Sequence, residues 1–113
     1  MRGAVENTPG AVGGSFAAGD GETVDYFAEC EQTEWALITA HYGIVMRHVQ
    51  LALNTFHFGE AELVILSHRD LDVLIQSVLD GYFAMIVLAR PGCLARGMAA
   101  LSRATEMLRQ EIA

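Results

Sequence analysis

The chain has no lysine: all seven basic residues are arginine, set against 14 acidic groups for a formal net charge of −7. An acidic chain without a basic stripe is a poor partner for nucleic acid or for an anionic lipid surface. Cysteine is scarce as well. Cys30 and Cys93 are too few and too poorly spaced for a zinc site or a disulfide framework, and they read as free thiols in a reducing cytoplasm. Long apolar runs are missing, since stretches such as Phe83 to Ala89 fall far short of the ~20 residues a membrane-spanning helix needs. Met1-Arg2-Gly3 is followed by polar residues, without the hydrophobic segment of a secretory signal. The expectation is a cytoplasmic protein with neither membrane insertion nor nucleic acid binding.

What is present is apolar surface. Of 113 residues, 52% are hydrophobic and 19% charged, which fits one globular domain spanning 1–113 rather than a disordered chain. Charge is unevenly spread. Residues 1 to 34 carry Glu6, Asp20, Glu22, Asp25, Glu29, Glu31 and Glu34 against Arg2 alone, which suits a solvated acidic face or a dock for a basic partner.

Thr8-Pro9-Gly10 closes a short lead-in that has room for at most a helical turn or two. Ala11 to Ala18 is small and apolar, and Gly13 and Gly14 suggest the close approach of another backbone. Gly19-Asp20-Gly21 is a turn signal leading into a strand over Glu22 to Ala28, so the pair reads as a hairpin. The carboxylates of Glu29 to Glu34 favour the positive end of a long helix over Trp35 to Phe56, and Gly59 stops it. Three strands follow, Ala61 to His68, Asp72 to Val78 and Tyr82 to Ala89, joined closely enough to form an antiparallel meander. After Arg90-Pro91-Gly92 a last helix runs from about Cys93 to Ile112, with Leu94, Met98, Leu101, Thr105, Leu108 and Ile112 on one face. The order predicts an α+β domain: a five-stranded antiparallel sheet covered by a long central helix and a C-terminal helix.

The long helix carries two apolar stripes. Ile38, Tyr42, Val45, Val49, Ala52 and Phe56, broadened by Trp35, Met46 and Leu53, suit docking on the chain's own sheet. Leu37, His41, Ile44, His48, Leu51 and Thr55 form a second ladder that needs another surface. Thr39, Gly43, Arg47, Gln50 and Asn54 are left as a narrow exposed strip. A helix wholly buried in a monomer, its second face covered by the terminal helix, is the plainer alternative. In the strand after this helix, Leu63, Val64, Ile65 and Leu66 would be an aggregation hazard on an open edge, one that pairing with a second chain removes.

Chemistry finds little foothold. The serines lack a nucleophile-elbow context, and no glycine loop with Lys-Ser/Thr is present to hold phosphate. His41 and His48 lie seven apart, about 10.5 Å along a helix, too far to share one ion, so neither a metal nor a cofactor is expected. If both histidines are buried in a seam between two chains they must stay neutral, and association then weakens as pH falls toward about 5.5. Equal dimer fractions by sedimentation at about pH 5.5 and 7.5 would remove that idea.

The order and several segments resemble the Roadblock family, which includes dynein light chains and bacterial regulators of small Ras-like GTPases. The likeness rests on Pro9-Gly10-Ala11-Val12-Gly13-Gly14 entering the first strand, Gly19-Asp20-Gly21 at the first hairpin and the long mid-chain helix. It continues in Asp80-Gly81-Tyr82-Phe83 before the last strand and Pro91-Gly92 before a leucine-spaced terminal helix. It spans nearly the whole chain, departing from the family in its short lead-in. The resemblance implies a homodimer or heterodimer whose mid-chain helices pack through Leu37, His41, Ile44, His48 and Leu51 while the strands over Leu63–Leu66 join; with no catalytic motif in the chain, the expectation is a non-catalytic scaffold, as a homodimer first. It also implies docking of a small Ras-like GTPase, or of another Roadblock protein, on the strip Thr39, Gly43, Arg47, Gln50 and Asn54. The role would be that of an adaptor in cell polarity or motility, with a GTPase activator as the alternative. A small-molecule sensor of profilin or PAS type, using the cleft between sheet and helix, is the rival from another class.

Overall fold

The computed structural model describes residues 1–19, 22–54, 61–78, 81–90 and 92–112, apart from the side chains of Asn54 and Ile112. A short helix α1 (Arg2–Glu6) precedes the hairpin strands β1 (Ala11–Ala17) and β2 (Thr23–Ala28). The long helix α2 (Gln32–Asn54), strands β3 (Leu63–Ser67), β4 (Leu71–Ser77) and β5 (Phe83–Ala89), and helix α3 (Leu94–Ile112) complete the order. The sheet runs β2-β1-β5-β4-β3 with every neighbouring pair antiparallel. The α+β architecture with five antiparallel strands stands as expected. Of the expected turn and stop residues, Asp20, Gly21, Gly59, Asp80 and Pro91 lie outside the described residues, as do Thr55 and Phe56 of the two helix stripes.

The sheet is the middle layer of three. Strand alternation sends Ala17, Val73, Ile75, Phe83, Met85 and Val87 to one face, where Trp35 and Met46 of α2 close the core. The neighbours Phe16, Leu74, Ala84, Ile86 and Leu88 point the other way, against Leu101 of α3 and the side chain of Met1. The terminal helix therefore lies across the sheet from α2 and leaves the outer side of α2 open. On α3, Gly97, Ala100, Leu101 and Thr105 form the buried line, and Met98 of the expected stripe is 37% exposed. Gly97 is what permits this: a Cβ there would stand 2.5 Å from a methyl of Leu88.

Helix α2 starts three residues before the expected Trp35 because Glu31 caps it. The backbone N–H groups of Thr33 and Glu34 donate to the two carboxylate oxygens of Glu31 at 3.0 and 3.1 Å. These bonds hold the Glu31 carboxyl below its ordinary pKa.

The rotation of α2 about its axis is set by one tryptophan. Trp35 lays its ring over Gly13, where a Cβ would come within 2.7 Å of it, and donates its indole N–H to Ser15 Oγ at 3.1 Å. At Gly14, on the opposite face, a Cβ would meet the Met1 side chain at 2.7 Å. The two glycines thus admit side chains, not the backbone the sequence suggested. Burying one Trp contributes on the order of 4–6 kcal/mol at about 25 cal/mol per Å², enough to turn the helix toward it. Trp35, Thr39, Gly43 and Met46 become its buried line, while Ile38, Tyr42, Val45 and Val49 are half-buried and Ala52 is exposed.

Candidate functional site

That rotation decides what α2 offers to the outside. Leu37, Ile44 and Leu51, seven apart, lie on the side away from the sheet with 68%, 55% and 60% of their surface exposed. His41 and His48 alternate with them and are exposed too. These three large aliphatic side chains form a row on one outward helix face; single exposed leucines are common, an aligned row is not.

The strip Thr39, Gly43, Arg47, Gln50 and Asn54 departs from the expectation of a solvent face. Thr39 and Gly43 are buried against the sheet and Gln50 is half-buried. Thr39 Oγ1 shares a hydrogen with Ser15 Oγ at 2.8 Å, so Trp35, Ser15 and Thr39 form a closed polar group inside an apolar layer. Gln50 donates to the Ala61 carbonyl at 2.9 Å and to Ser77 Oγ at 3.1 Å, and its own carbonyl accepts the Ala61 N–H at 2.8 Å. These polar residues pair internally, and only Arg47 of the strip is exposed; the side chain of Asn54 lies outside the description.

Gln50 also ties α2 to the entry of strand β3. Ala61 leads into β3, and Ser77 ends the neighbouring β4. At the far end of β3, Tyr42 Oη and His68 Nε2 are 2.9 Å apart, so α2 is tied to both ends of the strand. Among the described residues, strand β3 is the edge of the sheet and pairs with β4 alone. Val64 and Leu66 lean on the α2 layer and Leu63 on the other, while Ile65 is 37% exposed. Sequence periodicity finds both the leucine row and this strand. It misses the Ser15, Thr39 and Gln50 pairings, for which the only available signals were a serine inside a small apolar strand and a tryptophan whose N–H needs an acceptor.

Among the described residues no group of three or more His, Cys, Asp or Glu stands close enough together to hold a metal ion. Cys30 and Cys93 are exposed and unbridged. No helix among the described residues is long and apolar enough to cross a membrane. What the described residues present is an apolar row on α2, an edge strand in β3 and the exposed Arg47 on the helix flank.

No protein-family model and no curated protein sequence matches the chain. Solved structures do. The Roadblock/LC7 domain from Streptomyces avermitilis superposes with a TM-score of 0.92 at 13% identity, covering 99% of this chain and 93% of that one. An MglB solved in a tetrameric arrangement gives 0.87 at 10% identity, covering 97% and 82%. MglC from Myxococcus xanthus gives 0.71 at 22% identity, covering 98% and 94%. The fold is that of the Roadblock/LC7 domain.

Proposed function

We propose that this chain is a non-catalytic scaffold that pairs with a second copy of itself through the outward face of α2 and the edge of β3. On the paired helices it holds a small Ras-like GTPase or another Roadblock protein and regulates that partner's activity or location, as in cell polarity or motility. The observation that carries the reading is the exposed row Leu37, Ile44 and Leu51 together with the edge strand β3. The tetrameric arrangement of a similar MglB lends it support. Covering the exposed part of those three side chains on both copies contributes on the order of 5–10 kcal/mol, against an association cost of about 4–15 kcal/mol. The helix row alone is marginal, so strand pairing has to add to it. Leu63, Val64, Ile65 and Leu66 supply that strand, and His41 and His48 fall inside the same seam. With Thr39, Gly43 and Gln50 turned inward, the docking surface for the third protein centres on Arg47 and the exposed flank around it.

Light scattering at micromolar concentration tests the first half. The parent chain is expected at twice the monomer mass, and Ile44→Glu at the monomer mass with an unchanged far-UV spectrum. A lone, folded parent chain would overturn the proposal. GTP hydrolysis by a GTPase recovered from the native host tests the second half. Binding without acceleration marks an adaptor, and many-fold acceleration marks an activator, in which Arg47 would be the first residue to examine.

A further inference from the structure

Between the first half of α2 and the sheet the structure leaves a cavity of about 410 Å³, within the usual range of small-molecule sites. Its position follows from a fault in strand pairing. Between Ala11 and Gly13 strand β1 advances two residues while β5 advances one, from Leu88 to Val87. Such a bulge places Val12 and Gly13 together opposite Val87 and bends the strand locally. Trp35 fills the space over Gly13, and the space beside it stays open. The floor is Val12, Val73 and Val87, and the α2 side is Trp35, Ile38 and Tyr42.

The polar rim has one sign. Glu29 and Glu34, both exposed, are the charged residues of the lining, and no arginine lies among the lining residues. Cys30, also on the rim, has its thiol pushed above its ordinary pKa, by desolvation first and then by the charge of Glu34, so it adds a neutral group. The Tyr42 hydroxyl is already engaged with His68 at 2.9 Å, leaving the ring to line the wall. An apolar hollow with aromatic walls and two carboxylates at its mouth matches a ligand with an apolar body and a cationic head. We infer that this cavity is a binding site for an organic ammonium or guanidinium compound, whose alkyl or aryl body enters between α2 and the sheet while its charge rests at Glu29 and Glu34. The site is complete within one chain and stands apart from the outward face of α2.

Trp35 is the only tryptophan of the chain and lines the cavity, so its fluorescence reports occupancy directly. Titration with octylammonium, 1-octanol and octanoate separates the contributions of body and charge. Octylammonium is expected to bind on the order of tenfold more tightly than octanoate, with octanol between them. The double variant Glu29→Gln/Glu34→Gln, altered only at the rim, should bring the charged probes together and leave octanol unchanged. Val12→Phe and Ile38→Phe, each filling the hollow from a half-buried position, should weaken all three. Ile44→Glu, on the opposite face of the helix, should alter none, so failure of the docking surface and failure of the cavity are read separately. Equal affinity for ammonium and carboxylate, or binding that survives both filling variants, would overturn the assignment.

Discussion

The two sides of α2 reverse the usual order of a surface helix. Its inner side buries Trp35 and Met46 but also Thr39 and Gly43, and it sends Gln50 to the backbone of Ala61. Its outer side presents Leu37, Ile44 and Leu51 to solvent. Polar groups inside are tolerated because each is paired, and an unpaired one would cost about 1–3 kcal/mol. Apolar groups outside have no such remedy within one chain, and they lower the free energy only when another surface arrives. The inner side fixes where the helix sits; the outer side fixes what it can meet.

The sharpest way to break this contrast is a pair of truncations two residues apart. Met46→Ala, on the inner side, should destabilise the lone chain by about 2–5 kcal/mol. Ile44→Ala, on the outer side, should change it by under ~0.5 kcal/mol. Urea unfolding at submicromolar concentration reads both. Repeated at high concentration, the Ile44→Ala curve should lack the upward shift that the proposed association would give the parent. Equal costs for the two variants would mean that the outer face is already covered within the monomer.

Much of this was legible in the sequence for local reasons. Short connections and apolar strands announce the β3-β4-β5 meander, and a repeat of seven announces Leu37, Ile44 and Leu51. The inner side was misread because its logic is long-range. Thr39 looks solvent-facing until Ser15, 24 residues away, is found within 2.8 Å of it. Nothing local tells a hydroxyl that meets water from one that meets another hydroxyl. The phase of α2 depends likewise on Trp35 finding the bare backbone of Gly13. The sequence names a cleft between sheet and helix only with the sensor alternative; where it opens and what lines it stay hidden, since both depend on a pairing fault between strands that are distant in sequence.

Two smaller changes probe the inner polar groups. Thr39→Val keeps the shape and removes the hydroxyl, leaving the Ser15 hydroxyl with only the Trp35 N–H beside it. A loss of about 1–2 kcal/mol is expected by thermal or chemical unfolding. No loss would mean that water replaces the missing group. Gln50→Leu takes away both hydrogen bonds to Ala61 and should cost about 1 kcal/mol globally. Its more telling readout is amide hydrogen exchange, which should quicken at Ala61 and along β3 and leave β1 and β5 unchanged. Uniform protection would mean that Gln50 does not tie α2 to β3.

The smallest expected effect lies on the opposite layer and concerns pH. Asp72 on β4 accepts from Arg90 Nη2 at 2.8 Å and from its Nε at 3.2 Å. Its carboxyl is held below the ordinary value of 3.8 by Arg90 first and then by a hydrogen bond from Ser67. A pKa lowered in the folded state stabilises the fold above the unfolded value, and that stabilisation is lost as pH falls through the lower folded value. Asp72→Asn removes this part alone. The variant should therefore melt below the parent at pH 7, and the gap should shrink once the pH passes below 3.8. The Glu31 cap titrates in both proteins and cancels in the difference. A gap that stays constant with pH would assign the loss to altered packing at the end of β4 and not to the charge.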